Sequence, residues 1–257
     1  MSRSLTDEGL FQFSSALQTL TSLESLSLIR LGHSKFSQAI ELTSQGITPL
    51  TQLKDLSLDF TCCSGEKCTT IYSLAGSFLR LRSLNKLNLN LPGCRFIGDE
   101  DLALLTQGLE TLRNLTHLAI DLTNIGDITN QGLKSLTSSF SNFGKVRQLT
   151  LKLISNKIDG DGLRIIAQDL QSLPALYSFD LVFCNRYHTN YNGGFGALCD
   201  ILLDLTSLRE IRLAVKNTEI TAEKNPEISK SKVCHSCMVL FLINFCSILL
   251  NQNLKFS

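Results

Sequence analysis

The sequence predicts an α/β solenoid: a curved stack of repeats with a parallel inner β-sheet and outer helices. Three observations carry that prediction. Apolar triplets spaced at 0, +3 and +5 occur seven times, as Leu23/Leu26/Leu28, Leu53/Leu56/Leu58, Leu84/Leu87/Leu89, Leu115/Leu118/Ile120, Val146/Leu149/Leu151, Leu176/Phe179/Leu181 and Leu208/Ile211/Leu213. Their first members step by 30, 31, 31, 31, 30 and 32 residues, a period typical of stacked repeats. Four more apolar positions precede each triplet, at −13, −10, −6 and −3, and of the 49 sites so defined only Thr43 is not apolar. Leucine supplies 49 of the 257 residues, and 35 of those leucines lie on this lattice.

Each element follows from its spacing. Offsets −13, −10, −6 and −3 step by 3, 4 and 3 and line one face of a helix. They run from Leu10, Phe13, Leu17 and Leu20 in the first repeat to Phe195, Leu198, Leu202 and Leu205 in the last. Offsets +3, +5 and usually +7 alternate by two, which marks a strand with one buried face. Leu118-Ala119-Ile120-Asp121-Leu122 and Leu149-Thr150-Leu151-Lys152-Leu153 show it best. Helix starts carry capping and acidic groups at Thr6-Asp7-Glu8, Gly98-Asp99-Glu100-Asp101, Thr129-Asn130-Gln131 and Asp159-Gly160-Asp161, which suits the N-terminal N–H groups and the helix dipole. The second and third repeats, with Ser37-Gln38-Ala39 and Cys68-Thr69-Thr70, lack this signature. One helix and one strand cannot bury their apolar faces alone, so the units must stack. Strands stack at ~4.8 Å and helices at ~10 Å, which puts the sheet on the shorter, inner arc.

The L-x-x-L-x-L triplets and the I-x-D/N-x-G-L helix starts, from about Leu5 to Asn217, resemble leucine-rich repeats of the ribonuclease-inhibitor-like class. Ran GTPase-activating proteins and innate-immunity receptors carry similar repeats. The chain departs from the family in one respect. The family's Asn or Cys three residues after the last strand leucine is replaced by Leu31, Thr61, Pro92, Thr123, Ile154, Cys184 and Lys216, of which only Cys184 fits. An apolar residue stands at +7 instead (Phe60, Leu91, Leu122, Leu153, Phe183, Val215) and predicts a longer strand. The resemblance implies a fold; function has to be argued from a site.

Composition removes several function classes. Charged residues are 18% of the chain and the formal net charge is +1, which excludes intrinsic disorder and a strongly basic nucleic-acid binder. The N-terminus, Met1-Ser2-Arg3-Ser4-Leu5, does not read as a secretory signal. Nine scattered cysteines do not form a disulfide framework. Both point to a reducing, cytoplasmic setting, in which the sequon Asn114-Leu115-Thr116 reads as a chance match.

The binding surface expected in this fold is the exposed inner face of the sheet, at offsets +2, +4 and +6. It carries Asp55, Asp59, Lys86, Asn88, Asn90, His117, Asp121, Gln148, Lys152, Asp180, Glu210 and Arg212 among short polar residues. Five acids, three bases and no aromatic group fit a mixed polar protein partner and not a phosphate backbone. Arg212 is the one side chain of an anchoring type, which predicts modest affinity or help from loops. The expected function is a non-enzymatic scaffold that binds a protein on this concave face, with no cofactor, no metal and no nucleic acid. The alternative, from the resemblance, is a regulatory adaptor of GTPase-activating or ubiquitin-ligase substrate-adaptor type.

The remaining motifs point to no chemistry. Cys62, Cys63, Cys68 and Cys94 fall in adjacent loops, but their spacing matches no standard zinc finger. Cys234-His235-Ser236-Cys237 is a lone C-x-x-C. Asn192-Gly193-Gly194-Phe195-Gly196 lacks the Lys-Ser/Thr of a phosphate loop, and Gly194 shares a repeat slot with Gly9, Gly132 and Gly162. His33, His117, His188 and His235 are dispersed. After Asn217 the lattice stops. The expected organisation is a solenoid over 1–217, a polar linker over 218–232 and a hydrophobic segment over 233–257. No Asp, Glu, Lys or Arg occurs between Lys232 and Lys255. Three readings stay open for 233–250: an irregular cap, a tail anchor that would tether the scaffold to a membrane, or a sequence accident. The first repeat has no cap either, so one edge of the core is expected to be bare unless a partner or an upstream segment covers it, as in a fragment of, or a paralogue trimmed from, a longer array.

Overall fold

In a computed structural model, residues 7–29, 39–61, 70–154, 156–184 and 192–216 are described. Helices and strands alternate through them: α1 (Asp7–Leu17), β1 (Ser25–Leu28), α2 (Ala39–Ile47), β2 (Asp55–Asp59), α3 (Thr70–Phe78), β3 (Lys86–Asn90), α4 (Asp99–Leu109), β4 (His117–Asp121), α5 (Asn130–Ser138), β5 (Gln148–Ile154), α6 (Gly160–Leu170), β6 (Ser178–Cys184), α7 (Asn192–Asp204) and β7 (Glu210–Lys216). The expected linker 218–232 and hydrophobic segment 233–257 lie outside the described residues, as do Cys62, Cys63, Cys68, Cys234 and Cys237.

The strands form one parallel sheet in chain order, β1 to β7. The register joins equal lattice positions: Ser25, Asp55, Lys86, His117, Gln148, Ser178 and Glu210 lie side by side. The fold is a leucine-rich-repeat solenoid. Each strand is hooked to the next just before it starts. The Glu24 carbonyl accepts from both Lys54 N–H and Asp55 N–H, at 2.8 and 3.1 Å, and the Tyr177 carbonyl does the same for Arg209 and Glu210, at 2.8 and 3.0 Å. One carbonyl thus holds two successive N–H groups of the following segment and sets the register.

Leucine burial follows the lattice. Phe13, Leu20, Leu23, Leu26, Leu28 and Leu205 are the lattice residues that are not buried. Five of these belong to the first repeat. Phe13 is 40% and Leu20 50% exposed, because no described element packs against the outer side of α1 and β1.

The longer strand predicted from the +7 residue occurs in β5, β6 and β7, which have seven residues each. β2, β3 and β4 have five. There the ladder continues past the strand end, through Phe60 N–H to Asn90 O at 2.9 Å and Leu91 N–H to Asp121 O at 2.9 Å. The extra strand length moves the asparagine position and does not abolish it. Cys94 Sγ donates to the Phe60 carbonyl at 3.2 Å, and Asn156 Nδ2 to the Leu122 carbonyl at 2.9 Å. Both donors stand at +10 of their repeat, and both acceptors at +7 of the repeat before. Asn156 is 2% exposed, and its Oδ1 also accepts from Gly126 N–H at 3.3 Å. Gly126 has φ +94°, a conformation that suits glycine.

Helix starts are also tied from repeat to repeat. Thr129 caps α5 by accepting from Gln131 N–H at 3.1 Å, while its own N–H and hydroxyl donate to Asp99 at 2.8 and 2.6 Å. Asp159 caps α6 by accepting from Asp161 N–H at Oδ1, at 2.9 Å, and Asn130 Nδ2 donates to the same oxygen at 2.7 Å. That amide, followed by the backbone N–H groups, holds the Asp159 carboxyl below the usual carboxylate range. The capping side chain expected at Gly98-Asp99 is not there: Gly98 is itself the N-cap of α4. The Asp101 carboxylate accepts from Gly98 N–H at 2.9 Å instead. Close packing explains the shared glycine slot, since a Cβ on Gly194 would fall 1.9 Å from the Gly160 carbonyl oxygen.

Two stability predictions follow from these contacts. Asn156→Ala strands the Leu122 carbonyl and Gly126 N–H and should cost about 1–3 kcal/mol, read as a lower urea midpoint at constant slope. An unchanged midpoint removes the displaced ladder as a stabilising element. Thr43, the lattice exception, is 1% exposed and its hydroxyl finds no partner among the described residues. Thr43→Val should therefore stabilise the protein by about 1 kcal/mol. A lower midpoint for that variant would show that the hydroxyl is satisfied.

Candidate functional site

Strand parity builds the site. In β2, β3 and β4 the leucine and isoleucine positions are buried and the residues between them are partly or fully exposed. The +2, +4 and +6 side chains therefore project from the sheet on the side away from the helices. A shallow hollow of ≈ 310 Å³ lies on this face and crosses β1 to β5. Its lining includes the longer +2 side chains Asp55, Lys86, His117 and Gln148 with Ser25, and the shorter +4 side chains Ser27, Ser57, Asn88, Ala119 and Thr150.

Five of the residues expected from sequence thus come together: Asp55, Lys86, Asn88, His117 and Gln148. Asp59, Asn90, Asp121, Lys152, Asp180, Glu210 and Arg212 stand on the same face by register but outside the hollow. Ser25, Ser27, Ser57, Ala119 and Thr150 were not singled out as site residues. Their signal in the sequence is their parity together with their small size.

The acids of this face divide into two kinds. Asp59 turns back on its own loop: its Oδ1 accepts from Thr61 N–H at 2.9 Å and from the Thr61 hydroxyl. Asp121 does the same with Thr123 N–H at 3.0 Å, and its other oxygen lies 3.4 Å from Lys152 Nζ. Both carboxylates hold the turn after the strand. Asp55 stays on the open face, with Lys86 Nζ 3.8 Å away. An exposed pair at that distance contributes little to stability.

His117 is the titratable centre of the hollow. Burial first, and then the Lys86 ammonium in the next strand, push its pKa below the usual 6.5, with Asp55 acting in the opposite direction and Arg147 reinforcing the drop. The ring is therefore neutral at pH 7. Thr116 Oγ1 lies 3.0 Å from the Asn85 carbonyl and 2.8 Å from His117 Nδ1. The face offers a cation at Lys86, an anion at Asp55, an imidazole at His117 and amides at Asn88 and Gln148. That is a recognition set for mixed polar groups.

No protein-family model matches the chain, and no curated protein does either. A search of solved structures finds internalin C2 of Listeria monocytogenes at 20% identity, covering 78% of this chain and 84% of that one with a TM-score of 0.34. Among the described residues, no group of three or more His, Cys, Asp or Glu side chains could hold a metal ion, and no helix is long and apolar enough to cross a membrane. Cys94, from the expected loop cluster, is fully buried with its thiol on the Phe60 carbonyl. Burial, helped by Asp200, pushes the Cys199 thiol up to about 12, so it stays protonated.

The charge pattern around His117 is testable by titration. Lys86→Met removes a cation that disfavours the imidazolium and should raise the His117 pKa toward 6.5, read from its ring proton shifts by NMR. Asp55→Asn should lower it further. A Lys86→Met pKa that stays constant or falls would break the link between the two strands.

Proposed function

We propose that the chain is a non-enzymatic interaction scaffold that holds a protein partner on the open face of its sheet. The observation that carries this reading is the hollow across β1 to β5. It is lined by +2 and +4 residues, all polar except Ala119, together with Leu26, Leu56, Leu87 and Leu118, on a face that no described element covers. The polar set contains donors, acceptors and both charges but no large aromatic anchor, which fits a polar protein surface bound with modest affinity. The helix in each repeat and the 30–32-residue step support assignment to the ribonuclease-inhibitor-like class of leucine-rich repeats. A reducing, cytoplasmic setting belongs to the same proposal and rests on the nine scattered cysteines of the sequence.

Ala119→Arg tests the reading, because it fills the floor of the hollow with a long side chain and leaves the buried parity untouched. Tyr72→Ser, on the outer helix face and 68% exposed, is the control. Affinity capture from source-cell lysate should lose its specific partner with Ala119→Arg and keep it with Tyr72→Ser. The same captured set for both variants would remove the concave face as the binding surface.

A further inference from the structure

The rim where helices lead into strands carries charge of a different kind from the face. The turns from α3 to β3, α4 to β4 and α5 to β5 contain Arg80, Arg82, Arg113, Lys145 and Arg147, all exposed. Among the described residues none of these five has a carboxylate within ion-pair distance. Lys54, Lys86, Lys152, Lys157 and Arg164, by contrast, each have one. Glu110 is the one acid in these three turns.

The rim is also shaped. A recess of ≈ 590 Å³ opens between Arg82, Arg113, Glu110, Gln107 and Asn142. Asn114 is fixed in its wall: its Nδ2 donates to the Arg82 carbonyl at 3.1 Å, and its Oδ1 accepts from Lys145 Nζ at 2.8 Å. One side chain therefore ties three consecutive repeats and positions an ammonium that keeps further N–H bonds for a ligand. Helix dipoles do not account for these cations, since α3, α4 and α5 have no basic residue in their last turns. Three carbonyls of this rim already hold side-chain donors. The Thr111 hydroxyl donates to Phe78 O and Gly108 O at 3.1 and 2.8 Å, and Arg82 Nε donates to Leu79 O at 3.2 Å. Arg147 is braced against the Tyr177 ring, 5.9 Å from its centre.

We propose that this rim docks an extended, carboxylate-rich polypeptide segment. Spacing supports this occupant. Side chains on one side of an extended peptide repeat every ~6.6 Å, between the ~4.8 Å of adjacent strands and the ~10 Å of adjacent helices that bracket these turns. Arg82 and Arg113 hold the same position in neighbouring repeats, so carboxylates at i and i+2 can meet them in turn. The amides of Gln107, Asn114 and Asn142 suit peptide groups between the charges. Nucleic acid is the poorer fit: the recess lining has no aromatic group for base stacking. Five cations also fall short of the roughly six to ten phosphate contacts of a typical DNA-binding protein.

The test is fluorescence anisotropy of labelled hexaglutamate with the full chain at about 50 mM salt, where screening is weak. Saturable binding is expected, at least about tenfold weaker with R82E/R113E and unchanged with Lys157→Glu on the opposite rim. Hexaglutamine should not bind, and a short single-stranded oligodeoxynucleotide should bind more weakly than hexaglutamate. Any of three results overturns the proposal: no saturable hexaglutamate binding, equal binding by wild type and R82E/R113E, or tighter binding of the oligonucleotide. If R82E/R113E does not give the wild-type circular dichroism spectrum, the milder Arg82→Gln/Arg113→Gln pair supplies the same comparison. Ala119→Arg should leave hexaglutamate binding intact, so failure of the concave-face reading and failure of this one give different results.

Discussion

Every repeat in this protein is completed by its neighbour, and the rest of the structure depends on that constraint. A strand of four to seven residues and one short helix cannot shelter their own leucines. The next repeat covers them, and three sets of hydrogen bonds hold it in register. The carbonyl before each strand takes two N–H groups from the following chain segment. Helix caps reach across, as Thr129 to Asp99 and Asp159 to Asn130. Return loops reach back, as Cys94 to Phe60 and Asn156 to Leu122. Among the described residues no element covers the outer side of the first repeat, and there Phe13 and Leu20 hold lattice positions and are exposed.

That constraint also decides where function can sit. Because side chains alternate across a strand, the lattice uses one parity completely and leaves the other free. The free parity collects Ser27, Ser57, Asn88, Ala119 and Thr150 into the floor of a hollow, with Asp55, Lys86 and His117 beside it. None of these groups is needed for burial, so their chemistry is open to selection by a partner. His117 is the exception that links both roles: Thr116, which fixes its ring, also bonds the neighbouring repeat through the Asn85 carbonyl.

The architecture was legible in the sequence because it rests on periodicity. The step of the triplets is the same as the step of the strand register, and the helix positions at −13, −10 and −6 are buried in every repeat but for Phe13 in the first. What periodicity could not show was the use of individual polar side chains. Asp59 and Asp121 occupy face positions, yet each folds back onto the threonine two residues on, a local choice invisible to strand parity. The displaced ladder was hidden for a related reason. Its donors are a cysteine and an asparagine at +10 in two repeats, while the family slot at +8 holds unrelated residues. At Gly98 the acidic cluster marked a helix start correctly, but the bonding group is Asp101, not a side chain at the N-cap.

The two rims differ for one reason: all the helices point the same way. Their N-termini gather on the rim that follows the strands, where N–H groups need acceptors, and there Asp99, Asp101 and Asp159 are bound to backbone or neighbouring caps. Their C-termini gather on the other rim, where carbonyls need donors. Short side chains do much of that work, as with Thr111 on Phe78 and Gly108 and Asn114 on Arg82. The longer cations beside them are left largely unspent. Those three acids are thus part of the fold, while Arg113 and its neighbours on the second are surplus to it. Surplus charge of one sign, on a rim stiffened by Asn114, is what separates a recognition surface from a merely solvated one.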